Sequence, residues 1–262
     1  MIATLFEVED SMLIKISVLA FWTALFGTSV YKGLKAGIKI LADINVVLAI
    51  FAILFVLIAG PGVFILDLTV NSFGLMFSNF MSTATWTDPI REGDFPEAWT
   101  GFYWAWWFAY TGMVGLFFGR ISRGRTIRQL VLGVITWGCI GTWLFLAVMG
   151  GYSLFLEKTG ALAVTEILNS QGMSFLNALV IKSLPFGKIT LAIFTVLSII
   201  FYATTIDSSA YVISSICAKD LENTQEPRRW NRITWAVLLA LITAGLLQAD
   251  SLQTTLSMTV VS

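Results

Sequence analysis

The chain has 262 residues, 57% hydrophobic and 12% charged, with a mean hydropathy of +0.82, whereas a soluble domain carries about 25% charge. Basic and acidic residues balance at 16 each, which removes the electrostatic case for nucleic acid as a partner. No histidine is present, so histidine-based acid–base chemistry, metal sites and proton switches are excluded, and no nucleophile–base pair points to an enzyme.

Taken in order, the chain reads as an all-α transmembrane protein with about six full spans and a truncated seventh. Residues 1–10 carry Glu7, Glu9 and Asp10 and lack the basic start of a signal peptide. The first span is expected over 12–30, followed by a basic segment at 31–39. The second covers 45–66 and holds Gly60-Pro61-Gly62, a break near its far end. A long acidic connection follows. Within it Phe73, Met76, Phe77 and Phe80 have the spacing of a short amphipathic helix on the membrane surface.

The third span, 99–119, opens on Trp99-Thr-Gly-Phe-Tyr-Trp-Ala-Trp-Trp-Phe-Ala-Tyr110. In a helix Tyr103, Trp106, Trp107 and Tyr110 fall at i, i+3, i+4 and i+7, so four rings share one face, and Trp104 stands on the neighbouring face. Such a stripe suits a quaternary ammonium ion, which cannot donate an N–H bond and is best held by ring quadrupoles at roughly 0.5–2 kcal/mol per ring. The alternative is an interfacial aromatic belt or plain helix packing. A belt needs rings at headgroup depth, however, and Tyr110 lies about 16 Å further down the helix than Trp99, near mid-bilayer.

A basic loop at 120–128 follows, then a fourth span at 129–151. The connection 152–188 has room for a short amphipathic helix near 162–168 or 173–181. A fifth span is expected at 189–216, a sixth at 233–247, and a truncated one at 252–262. Cys139 and Cys217 lie within apolar segments or at their ends and read as small hydrophobes. If the spans alternate, the basic loops at 32–39, 120–128 and 228–232 share one side, which the positive-inside rule makes cytoplasmic. Met1 then lies outside with nothing to export it. The expectation is a single membrane domain from a longer protein, with an odd number of spans upstream. The four arginines at 120–128 are orientation anchors, and they could also touch anionic membrane lipid or a regulatory tail.

The fifth span carries Phe201-Tyr-Ala-Thr-Thr-Ile-Asp-Ser-Ser209. Hydroxyls packed this densely in an apolar helix can ligate a hard cation, or can bond back to their own i−4 carbonyls. Asp207, the acid within this span, is either a functional group or the structural partner of a basic loop residue.

The run from Trp99 to Trp107, continuing into Gly119-Arg-Ile-Ser-Arg-Gly-Arg-Thr-Ile-Arg128, resembles the signature of the betaine/carnitine/choline transporter (BCCT) family. Residues 35–39 with 43–45, Gly60-Pro61 with 64–67, and Thr85-Trp-Thr-Asp88 are similar to flanking family segments. The resemblance spans essentially the whole chain and makes it the C-terminal half of a member, beginning at the sixth of twelve spans. It implies part of an inverted-repeat, sodium-symporter-like bundle, two five-helix halves crossing near the midplane. By position it implies that Trp104, Trp106, Trp107 and Tyr110 box a trimethylammonium substrate. Tyr110 stands where betaine-type members often have tryptophan, which is closer to carnitine-type members. Where many members read Ser-Pro-Phe this chain has Thr111-Gly-Met113, which leaves the family's helix break to Gly112.

Phe201, Thr204 and Thr205 match the positions that supply a sodium site in sodium-coupled members, whereas carnitine exchangers lack that hydroxyl pair. The resemblance implies no organic cofactor, Na⁺ as coupling ion, a multi-pass protein of the inner (plasma) membrane and homotrimeric assembly. Three functions stay open: sodium-coupled transport of glycine betaine, choline or carnitine; sodium-independent exchange; and a non-transporting membrane sensor for the same ligands.

Overall fold

The computed structural model describes residues 1–8, 11–33, 37–90, 93, 95–219 and 226–248, and all regular structure among them is helical. The helices in chain order are α1 (Ile2–Phe6), α2 (Met12–Lys32), α3 (Lys39–Ala59), α4 (Gly62–Ser78) and α5 (Phe80–Ala84). A π-helical turn at Pro96–Gly101 leads into α6 (Phe102–Ile121). Then come α7 (Ile127–Thr159), α8 (Val164–Gln171), α9 (Met173–Lys182), α10 (Gly187–Ile216) and α11 (Arg229–Gln248). The expected truncated span at 252–262 lies outside the described residues, as do Glu9, Asp10 and parts of the acidic connections.

Among the described residues, α2, α3, α7 and α10 are long and apolar enough to cross a membrane. At 20 residues each, α6 and α11 have the length to cross but carry more polar atoms, the Trp N–H and Tyr O–H groups in α6 and Arg229, Asn231 and Arg232 in the first turn of α11. Large apolar side chains such as Ile58, Trp137 and Phe108 stand exposed along the helices. This reverses the arrangement of a soluble domain and suits a lipid-facing surface.

The chain divides into two compact units, one of residues 1–15, 41–77 and 125–202, the other of 16–40, 78–124 and the described residues from 203 onward. The first is centred on Val56 of α3, Ile65 of α4, Tyr152 and Leu156 of α7, Leu176 and Ile181 of α9, and Leu191 and Phe194 of α10. Gly60-Pro61 ends α3, as its sequence requires. A Cβ at Gly60 would lie 2.6 Å from the Val56 carbonyl, so the turn admits little else.

The surface helix expected near residues 73–80 is instead the second half of α4, which runs lengthwise along α7. Contacts of Phe64 with Phe155 (ring centroids 5.5 Å) and of Phe73 with Trp143 (5.2 Å) make the pair antiparallel. Their close approach rests on Gly151, where a Cβ would already meet Ile65 at 3.4 Å. The helix runs on through Gly150-Gly151, past the end of the expected fourth span at 151. α7 continues to Thr159 and stops at Gly160, which has φ +70°. A capping box between Thr126 and Gln129 fixes its start. Both short helices weighed for the following connection form. Glu157 accepts from the Val164 and Thr165 amides, satisfying the open N-terminus of α8.

In the second unit α2, the later half of α10 and α11 pack through Phe26, Val30, Ala203, Ala210 and Ala236. Small residues on α10 and α11 let these helices meet closely. Polar contacts then pin their ends. Arg232, 2% exposed, donates from Nη1 to Glu226 Oε2 at 2.5 Å and from Nη2 to the Tyr31 carbonyl at 3.2 Å. Arg229 lies over the Tyr31 ring at 5.1 Å, and Asn231 Nδ2 donates to the Ser214 carbonyl at 2.9 Å, capping α10. The residues read as a basic loop at 228–232 thus include the first turn of α11, and Arg232 is a buried clasp.

Candidate functional site

The aromatic run folds as its spacing requires. The π-helical turn with Pro96 at its start feeds directly into α6, whose regular pitch aligns Tyr103, Trp106, Trp107 and Tyr110 along one face. Tyr103 is the hinge of the array, 6.0 Å between ring centroids from both Trp106 and Trp107. Trp104 is not isolated on the adjoining face. Its ring meets Trp107 edge-on at 5.6 Å and 65°, and Phe108 at 5.9 Å. Two indole walls set steeply to each other form a corner, the arrangement in which a cation can touch two ring faces at once.

The faces are accessible. Trp104, Trp106, Trp107 and Tyr110 are 55%, 45%, 55% and 37% exposed, so this helix supplies walls and leaves the remaining sides of any enclosure to other elements. The break expected at Gly112 is absent, because α6 runs unbroken from Phe102 to Ile121. No proline interrupts it, and the Thr111 hydroxyl donates to the Trp107 carbonyl at 2.5 Å, a bond that is compatible with continued helix.

The second candidate set lies on α10, which is likewise continuous. Phe201 is exposed and meets Tyr202 edge-on at 5.7 Å. Thr204 is half-buried and Thr205 exposed. The Ser208 and Ser209 hydroxyls donate to the Thr204 and Thr205 carbonyls at 2.9 and 3.0 Å. For these two serines, back-bonding to the helix is therefore what the structure adopts.

Of the two roles the sequence left open for Asp207, the structure bears on the pairing with a basic loop residue. It is 0% exposed, and neither carboxylate oxygen has a hydrogen-bond partner. The expected basic partner is absent among the described residues. The Ser29 hydroxyl of α2 faces the carboxylate without meeting hydrogen-bond geometry. A buried carboxyl group without a hydrogen bond is costly, which makes the α2–α10 contact at Asp207 a candidate functional position. Sequence gave no signal for Ser29, which is one hydroxyl in an apolar helix.

The whole chain, residues 1–262, matches the family described as BCCT, betaine/carnitine/choline family transporter. It is similar to a carnitine transporter of Acinetobacter baumannii, 33% identical over 90% of this chain and 43% of that protein. It is also similar to the uncharacterized transporter YeaV of Escherichia coli, 32% identical over 99% of this chain and 54% of the relative. A high-affinity choline transport protein of the same species is 32% identical over 99% of this chain and 38% of its own length. The chain thus spans about half the length of the curated relatives it matches. Aromatic signature, helical membrane-capable fold and full-length family match agree: the chain belongs to the betaine/carnitine/choline transporter family, whose members are membrane transporters and not enzymes.

Proposed function

We propose that this chain forms part of a secondary active transporter for a trimethylammonium compound, with the aromatic face of α6 as its contribution to the substrate site. The observation that carries the reading is the corner of Trp104 and Trp107, continued by Tyr103, Trp106 and Tyr110 along one accessible helix face. Glycine betaine, choline and carnitine all present the methylated cation such rings hold by cation–π attraction. The relatives named for carnitine and choline transport support that class of substrate. The expected six spans and truncated seventh would form part of an inverted-repeat bundle, single in domain, in the plasma membrane and assembled as a homotrimer. Substrate access would alternate by rocking of helices about the aromatic face.

Na⁺ is the proposed coupling ion, held through Phe201, Thr204 and Thr205. A second reading, sodium-independent carnitine exchange, draws on Tyr110 and on the serine hydroxyls that occupy the Thr204 and Thr205 carbonyls. Uptake of labelled glycine betaine, choline and carnitine into proteoliposomes, with and without an inward sodium gradient, separates the two. Accumulation only with the gradient supports symport. Carnitine exchange indifferent to sodium removes the ion site and keeps the rings. If no ammonium compound moves although binding persists, the protein is a sensor.

A further inference from the structure

A groove of about 300 Å³ runs between α4 and α7 within the first unit, and none of the α6 aromatic residues lines it. Its walls are apolar: Leu68, Phe73 and Met76 from α4, and Trp143, Gly150 and Leu154 from α7. The Thr69 hydroxyl in its lining is turned back to the Ile65 carbonyl at 2.6 Å, so it offers little polarity to the groove. Glycine at 150 and 151 removes side chains from the floor, and Phe73 packs edge-on against Trp143 in the lining.

A positive charge stands one turn beyond the end of the groove. Lys158 lies one turn beyond Leu154 on the same face of α7, and its ammonium sits over the Phe64 ring at 5.1 Å. Phe64 itself is one turn before Leu68 on α4. Lys158 makes no ion pair among the described residues. Its neighbour Glu157 is engaged by the amides of α8, and Asp67, exposed on α4, is not bonded to it. From Trp143 to Leu154 is about 16 Å along the helix, close to half of a hydrocarbon core of about 30 Å. Lys158 then falls at headgroup depth, on the side opposite the arginine-rich loop that precedes α7.

We infer that this groove binds one anionic phospholipid, an acyl chain lying between α4 and α7 with its headgroup at Lys158. Length, apolar lining and a single unpaired cation at the mouth together select this occupant. A zwitterionic lipid brings its own ammonium beside the phosphate and answers the lysine only in part, and a packed protein helix would leave the charge buried.

The complete transporter is reconstituted in phosphatidylcholine vesicles doped with either phosphatidylglycerol or phosphatidylcholine bearing brominated acyl chains. Quenching assigned to Trp143 is taken as the difference between wild type and Trp143→Phe. The expected result is half-quenching at about fivefold less brominated phosphatidylglycerol than phosphatidylcholine, the ratio that one interfacial lysine supplies. Lys158→Gln should bring that ratio to about one, and Lys158→Arg should keep it. Equal quenching by the two lipids in the wild type would reduce the groove to ordinary boundary lipid and overturn the inference. Quenching by neither would overturn it too, since a second copy or another segment then covers the groove. Both decisive results come from the wild-type and Trp143→Phe proteins, so a misfolded lysine variant cannot obscure them.

Discussion

Gly33 follows α2 at φ +94°, a conformation that L-residues rarely adopt. It also sits against the buried clasp. A Cβ built there would lie 2.2 Å from Glu226 Oε2 and 2.7 Å from Arg232 Nη1. Gly33→Ala must therefore strain the backbone, at about 1–2 kcal/mol. It must also push the carboxylate off a guanidinium that is 2% exposed. Loosening a charge-assisted bond of that kind costs about 1.5–3 kcal/mol, so the expected total is roughly 3–5 kcal/mol. Equilibrium unfolding in mixed micelles titrated with sodium dodecyl sulfate measures the loss. A companion variant sharpens the reasoning. Glu226→Ala removes the nearer clash and leaves Arg232 without its carboxylate and free to shift its Nη1 from the new Cβ, so Gly33→Ala added to it should cost mainly the backbone share, about 1–2 kcal/mol. If Gly33→Ala alone falls within about 0.5 kcal/mol of wild type, the usual range of a surface change, the clasp does not hold α2 to α11 and the argument fails.

Two further outcomes follow from other contacts. Replacing both Thr204 and Thr205 by alanine should abolish any sodium dependence of uptake while leaving ammonium binding in place, and sodium dependence that survives would remove the ion site. At the start of the chain Glu7 pairs with Lys188 at 3.1 Å and Lys182 at 3.6 Å. The Lys188 hydrogen bond and charge, and then Lys182, hold its carboxyl below the usual 4.5. The pairing thus contributes fully above about pH 4.5 and is lost as pH falls through the lowered value. Hydrogen exchange at residues 2–8 should quicken in acid for the wild type, and should already be fast and pH-independent, after correction for intrinsic exchange, in Glu7→Gln.

What the sequence made legible was local. The aromatic register of α6 needs only a regular helix, and the break at Gly60-Pro61 needs only the chemistry of two residues, so both could be read directly. How far α7 runs was not legible, because Gly150-Gly151 can either stop a helix or admit a neighbour. Only the presence of Ile65 on α4 decides which. Arg232 bonds a carbonyl 201 positions away, and the Asp207–Ser29 juxtaposition is equally distant in sequence. No periodicity carries such pairings. The absent break at Gly112 has a related cause: an expectation carried from a proline-bearing pattern does not transfer to a residue that merely permits bending.

The measurement closest to the central claim is substrate binding to the complete transporter with and without one wall of the aromatic corner. Titration calorimetry of glycine betaine and carnitine against wild type and Trp107→Leu gives the comparison directly. Trp107 touches both Tyr103 and Trp104, and removing one ring face is expected to weaken binding by about 2- to 30-fold. A dissociation constant unchanged for every ammonium compound tested would place the substrate elsewhere and leave the aromatic face of α6 as packing.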